Sequence, residues 1–252
     1  LGNPVLSFMG RLFFVSSIGD FHCGLRGFKR KSIIQLGLST TGMEFASEMV
    51  VKAGINKMSI CEVPTVLYPD ERGRSPHLRT WRDGWRHLRF LLVYSPKWLF
   101  FYPGLFLFLF GLMMSVLLIF ANLEFRGVQF DVHSLLYLSA VFYLGFQFVS
   151  FYVFARYFGI LNNLLPESES FCRLYKLFSL ERGLFIGLVF VLAGLAMSGY
   201  ALLLWKNTDF GELNASMVLR IVIPAVFLII LGVQTILNSF FLGILSLSKK
   251  AK

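Results

Sequence analysis

Four long apolar runs dominate the chain after Lys97, with only short polar breaks between them: from about Trp98 to Ala121, from Leu135 to Phe158, from Leu184 to Trp205, and from about Val218 to Leu245. Crossing about 30 Å of hydrocarbon takes about 20 helical residues, so each run predicts a membrane-spanning helix. Buried helices of a large soluble core give such runs singly, not four in succession. Ahead of the runs the pattern is shorter and mixed. Thr41-Gly42-Met43-Glu44 has the form of a capping box and predicts a helix over Met43 to Ala53, stopped by Gly54. Met58 to Val63 then reads as a short strand ended by Pro64. A helix feeding a strand points to the end of an α/β domain, of which the chain holds the final portion. From Leu78 to Leu92, Trp81, Trp85, Leu88 and Leu92 share one helical face, while Arg79, Arg82, Arg86 and Arg89 follow a similar spacing on another. Such a helix can lie in the membrane interface, indoles among the headgroups and guanidinium groups on lipid phosphates.

These patterns divide the chain into three segments: 1–77, the end of an α/β domain; 78–97, an amphipathic juxtamembrane helix; and 98–252, an all-α region of four spans. Composition agrees. A chain that is 56% hydrophobic with mean hydropathy +0.67 is too apolar for a soluble domain of its length. The formal charge of +10 would suit nucleic acid, but in so apolar a chain it reads as Lys and Arg retained on the cytoplasmic side of a membrane, with no nucleic-acid partner. Basic residues precede the first span (Arg79, Arg82, Arg86, Arg89, Lys97), fill the second connection (Arg156, Arg173, Lys176, Arg182) and close the C-terminus (Lys249, Lys250, Lys252). The first and third connections offer Arg126, Lys206 and the span-edge Arg220. The bias places the N-terminal segment, the middle connection and the C-terminus in the cytoplasm, and a bacterial plasma membrane is the expected setting.

Three scattered cysteines argue against a disulfide framework and suit a reducing compartment. Inside the spans, Gln147, Gln234 and Asn238 are expected to hydrogen-bond between helices. No span carries a carboxylate or His at mid-membrane, which counts against a proton-coupled carrier. With Leu rather than Met at position 1 and no signal peptide before Asp20, the chain is expected to begin within a longer one.

The stretch Asp20-Phe21-His22-Cys23-Gly24-Leu25-Arg26-Gly27-Phe28 resembles the acceptor loop of family 2 glycosyltransferases that load sugars onto polyprenyl or dolichyl phosphate. Gly42-Met43-Glu44-Phe45, with Glu48 and Lys52, is similar to the helix that follows that loop. Glu62-Val63-Pro64 followed by Arg72 and Ser75 resembles a later E-V-P strand and basic loop. Trp81-Arg82-Asp83-Gly84 and Arg86-His87-Leu88-Arg89-Phe90 resemble the juxtamembrane helix of membrane-anchored members. Four pieces in consistent order over roughly the first hundred residues are more specific than any one alone.

The resemblance implies a GT-A-type α/β domain anchored by C-terminal helices. It implies transfer of a sugar from a nucleotide-diphosphate donor to a polyprenyl phosphate, with Mg²⁺ or Mn²⁺ held by a D-x-D motif. No two aspartates here are separated by one residue, so the donor half is expected upstream of Leu1 and this chain alone is expected to be inactive. The family's Lys after Ser is replaced by Pro76-His77. A lipid monophosphate is already ionised near neutral pH, so the protein must chiefly hold two anionic partners together. On that basis Asp20 is the candidate catalytic carboxylate, with Arg26, Arg72, Ser75, His77 and Arg79 binding acceptor phosphate, and Arg82, Arg86 and Arg89 guiding the lipid headgroup. The ordinary reading of Asp20 is a turn residue before Gly24. Glu48 and Lys52 read as a solvated i, i+4 pair, and Glu44 as a helix cap. The partners implied are the lipid, the nucleotide sugar and the membrane, with room for a homo-oligomer. A non-catalytic scaffold, a flippase component and a small transporter are the rival readings.

Overall fold

The computed structural model describes residues 2–14, 18–42, 44–66, 80–120, 123–125, 127–162, 164–169, 171, 180–212 and 214–250. They fall into two compact units, Leu1–Leu99 with Leu164–Pro166, and Phe100–Asn163 with Glu167–Lys252.

The first unit is built from α1 (Gly2–Phe14), α2 (Arg30–Gln35), α3 (Phe45–Ile55) and α4 (Thr80–Tyr94). Pro4 is tolerated in the first turn of α1 because the amide it lacks would be an orphan there. Ile18, Phe21, Val50, Val51, Phe90 and Leu91 form the core at which α1, α3 and α4 meet. A smaller cluster of Leu36, Met49 and Ala53, with Ile33, Leu38 and Met58 against it, gathers α2 onto α3.

Three local expectations are corrected here. Met58–Val63 forms no strand, and among the described residues no strand occurs in this unit to pair with it. A strand depends on a hydrogen-bonded neighbour, so the pattern alone does not create one. The α/β character expected of this segment is therefore not seen among the described residues. The capping box does not form either: α3 starts at Phe45, Glu44 takes the N-cap position, and no side chain caps the helix. Finally, α3 runs past Gly54 to Ile55 and closes in a Schellman arrangement. The Met58 N–H donates to Ala53 O at 2.9 Å and the Lys57 N–H to Gly54 O at 3.0 Å. Lys57, not a glycine, occupies the left-handed position with φ 54°.

A π-helical turn, Lys97–Phe101, leads into α5 (Tyr102–Phe120) of the second unit, where α6 (Val132–Leu161), α7 (Leu180–Lys206) and α8 (Ala215–Lys250) follow. Four stretches are long and apolar enough to cross a membrane, Lys97–Phe120, Val132–Leu161, Leu180–Lys206 and Ala215–Leu247. They match the four runs expected from the sequence, the first shifted by one residue and the other three extended by a few. Between α5 and α6 a two-stranded hairpin, β1 (Leu123–Phe125) and β2 (Val128–Phe130), pairs Glu124 with Gln129 and turns through Gly127 at φ +80°. This is a position for residues that accept positive φ.

Helix α5 packs on α6, α7 on α8, and α6 on α8. Small residues let the backbones approach, as packing in lipid requires: a Cβ on Gly111 would come within 2.7 Å of Phe142 Cα. Asn238 Nδ2 donates to Ser150 Oγ at 2.9 Å, bridging α8 to α6, and Gln234 Nε2 donates to Asn238 Oδ1 at 2.9 Å. At the start of α6, Asp131 accepts from Ser216 Oγ at 2.9 Å and pairs with Arg220 at 3.3 Å, tying α6 to the first turns of α8.

Candidate functional site

The segment Ile18–Phe28 lies in the first unit and has no regular secondary structure. Its shape is imposed from several directions. Phe21 is completely buried in the core and acts as the anchor. Two small residues of α1 admit it: Ser7 Oγ accepts the Phe21 N–H at 3.2 Å, and a Cβ on Gly10 would meet the Phe21 ring at 2.7 Å. Beside the anchor, the Glu62 carboxylate accepts the Gly19 N–H through both oxygens at 2.9 Å, and the Asp20 N–H at 3.1 Å. Those bonds hold the Glu62 carboxyl below the usual carboxylate range. Arg11 in turn donates to Gly19 O at 3.1 Å.

Asp20, the expected catalytic carboxylate, follows directly. Its Oδ1 accepts the His22 N–H at 2.8 Å, an Asx turn that fixes the side chain over the loop. Arg26 folds back across the same loop. Nε donates to Cys23 O at 2.7 Å, one terminal nitrogen to Phe21 O at 2.8 Å, and the other to Ala46 O. A guanidinium carries five N–H donors. Two serve the loop and one ties it to Ala46 of α3, so Arg26 here is first of all a staple, and two donors are left over. Arg72, Ser75, His77 and Arg79 lie outside the described residues, as does Met43.

Consecutive residues at the start of α3 reach to three different partners. Ala46 O takes Arg26, Ser47 Oγ meets His87 Nδ1 at 2.9 Å, and Glu48 organises the preceding loop. Glu48 accepts from the Ser39 N–H at 3.0 Å, the Thr40 N–H at 2.9 Å and Thr40 Oγ1 at 2.6 Å, and pairs with Lys52 Nζ at 2.8 Å. Lys52 also donates to Gly37 O at 2.7 Å. Glu48 is 0% exposed and Lys52 7%, so the reading of a solvated pair is overturned. Burial alone would raise the Glu48 carboxyl; the Lys52 hydrogen bond and the Thr40 and Ser39 donors outweigh it and bring the pKa down to about 2.

Helix α4 buries Asp83, His87, Phe90 and Leu91 and turns Trp81 and Trp85 outward, 92% and 59% exposed. Of the expected headgroup residues, Arg82 lies 3.6 Å from Asp83 and Arg86 4.0 Å from Glu44; Arg89 is exposed. On the buried face, the His87 ring meets His22 edge-on, centroids 4.4 Å apart and planes at 81°. Burial pushes the His22 imidazole down to about 4; His87 adds to this, Asp20 opposes it, and Arg26 adds again. His87 is also lowered by burial, against the pull of Glu44 and Asp83.

Sequence reasoning missed Arg11, Phe21, His22, Ser47 and His87 as parts of this site, and gave Glu62 no role. The signals were slight: Ser7 and Gly10 at i, i+3 spacing on an apolar helix, and a His in each of the two matching motifs. Among the described residues no group of three His, Cys, Asp or Glu side chains converges to hold a metal ion, so these residues do not fit the divalent cation that the resemblance implies.

Over 244 residues the chain is 34% identical to the low-salt glycan biosynthesis hexosyltransferase Agl6 of Haloferax volcanii, an alignment that covers 96% of this chain and 57% of that relative. The chain thus spans little more than half the length of the curated relative it matches. No solved structure matches it. Residues 153–246, which take in the end of α6, all of α7 and most of α8, match the family model described as the glycosyltransferase family 2 C-terminal transmembrane region. With its four membrane-length helices and this relative, the chain is similar to the C-terminal membrane part of family 2 glycosyltransferases.

Proposed function

We propose that the protein to which this chain belongs transfers a hexose from a nucleotide-diphosphate donor to a polyprenyl phosphate at the cytoplasmic face of the membrane. The observation that carries the reading is the Asp20 loop. It is an irregular segment pinned by Phe21, Glu62, Arg11 and Arg26 in the unit that precedes four spans, and it belongs to a chain 34% identical to a hexosyltransferase. Irregular backbone held this firmly is suited to presenting a carboxylate at fixed geometry. Asp20 would position the phosphate nucleophile, and the two remaining Arg26 donors would pair with its oxygens. Arg72, Ser75, His77 and Arg79 would complete the phosphate contacts. The outward Trp81 and Trp85, with Arg82, Arg86 and Arg89, would seat α4 among lipid headgroups. The Mg²⁺ or Mn²⁺ site and the α/β donor fold belong, in this reading, to the donor-binding half, since the described residues supply no such ligand set.

The test uses the full-length protein in membranes, incubated with labelled nucleotide hexoses and polyprenyl phosphate. Label passing into the lipid phase, and falling by about a hundredfold or more in Asp20→Asn, supports the reading. Absence of lipid-phase label across the panel of nucleotide hexoses sinks it.

A further inference from the structure

Apolar residues would fill the buried face of a helix at least cost, yet α4 places Asp83 and His87 there, 5% and 6% exposed. A buried polar group is costly unless it is hydrogen-bonded, and His87 finds its partner in Ser47, which is itself fully buried on α3. The ring also meets His22, at 4.4 Å and nearly perpendicular. The backbone N–H of His22 is the group that the Asp20 carboxylate accepts at 2.8 Å. A continuous path therefore runs from Ser47 on α3, through His87 on α4, to His22 and on to Asp20. The Glu62, Arg11 and Arg26 bonds hold the loop by its backbone; the histidine contact instead ties the Asp20 turn to α4, the helix that directly precedes the first span.

We propose that Ser47, His87 and His22 are positioning residues that register the Asp20 turn on α4 and thereby set where the lipid phosphate is received. This rests on the sugar-transfer reading above. Edge-to-face contact fixes one ring against the other without covalent constraint, and moving the groups that receive a substrate weakens its binding, which is read as a raised KM. The groups facing His22 are Asp20, Arg26 and His87; those facing His87 are Glu44, Asp83 and His22. Two charged imidazolium rings in this contact would repel, so the path holds while both rings are neutral.

The experiment uses the full-length protein with a polyprenyl phosphate and whichever nucleotide hexose the wild type accepts. In His87→Ala the KM for polyprenyl phosphate is expected to rise about tenfold while kcat and the nucleotide-sugar KM stay within about twofold. His87→Gln, which can keep the Ser47 bond, should recover part of the loss, and Ser47→Ala should reproduce part of it. In His87→Phe the acid limb of kcat/KM for the acceptor should move downward in pH, because a charged His22 no longer faces a second ring that can repel it. Parallel loss for both substrates, with a lowered melting temperature and an unmoved acid limb, would reduce the cluster to packing and overturn the proposal. Variants that match the wild type would do the same. If His87→Ala does not fold, Ser47→Ala and His87→Gln carry the same readouts. A wild type that transfers nothing counts against the parent reading instead, and leaves it distinguishable from a failure of the variants.

Discussion

Glu62 reaches across 42 residues of chain to accept the backbone N–H of Asp20 at 3.1 Å, and both of its oxygens take the Gly19 N–H at 2.9 Å. A carboxylate is suited to this because it is acceptor-only, so either oxygen can take either amide. In Glu62→Gln one of the two oxygens becomes an NH₂ group, a donor facing donors. The Asp20 turn then loses part of this hold. Transfer in the full-length protein should fall by about tenfold, the scale of a slightly misplaced reacting group. Assaying Glu62→Gln beside Glu62→Asp checks this: a Gln variant as active as the wild type would show that the clamp does not position Asp20.

Glu48 and Lys52 lie inside the first unit, so a substitution there acts on folding before it acts on chemistry. Removing one member of a buried pair leaves an uncompensated charge, and Glu48→Ala should cost about 3 kcal/mol. Because the folded Glu48 pKa is lowered to about 2 from an ordinary 4.5, the stabilisation is fully present above about pH 4.5. It is lost as pH falls from there toward 2. Melting curves of wild type and Glu48→Gln, run on the purified protein, should lie closer together at pH 3.5 than at pH 7. A gap between the two that is the same at both pH values would refute the linkage.

The four spans were legible because lipid leaves little choice: each needs an apolar run of membrane length, and α5 to α8 are those runs. The neighbourhood of Asp20 was legible as a motif. What could not be read were facts that depend on tertiary partners. Glu48 and Lys52 at i, i+4 look identical whether solvent or the Ser39-Thr40 loop lies beside them. Thr41 and Glu44 have capping-box spacing, but Glu48 supplies the carboxylate that receives the Ser39 and Thr40 amides. Met58 to Val63 has strand composition without a described neighbour to pair with. Helix α1 escaped notice because its short apolar pattern, Leu6, Met9 and Phe13, takes its meaning from packing against the core around Phe21.

Lys57 offers a local test of the α3 terminus. It sits at the left-handed C′ position, φ 54°, where a side chain crowds the backbone and glycine does not. Lys57→Gly should therefore stabilise the first unit by up to about 1 kcal/mol, less what the added freedom of the unfolded chain removes. Gly54→Ala, one turn earlier and within helical geometry, should stabilise by a similar amount, since a Cβ there meets open space. Thermal unfolding of the two variants checks both signs. Destabilisation by Lys57→Gly would mean that its side chain makes a contact that outweighs the strain.

In the membrane unit, Gly187 on α7 and Gly232 on α8 face each other so closely that a Cβ on the first would come within 2.7 Å of Gly232 O, and a Cβ on the second within 2.5 Å of Gly187 O. Each glycine is the space into which the other's backbone fits, and in lipid such approach is itself a source of helix association. Rotating the nearby Ile236 or Val191 side chain cannot relieve this, because backbone carbonyl oxygens are among the clashing atoms. Gly187→Ala or Gly232→Ala must push the two backbones apart and should cost about 1–3 kcal/mol, as overpacking does in a close-packed core. Gly199→Ala, also on α7 but with nothing within 4 Å of the added Cβ, should cost far less and serves as the control. Unfolding in detergent, followed by the melting temperature of the three variants, decides the matter. If Gly187→Ala and Gly199→Ala melt together, α7 and α8 are not held by close backbone approach. If only the first falls, the double variant Gly187→Ala/Gly232→Ala should cost less than the sum of its parts, because helices already separated by one methyl have room for a second.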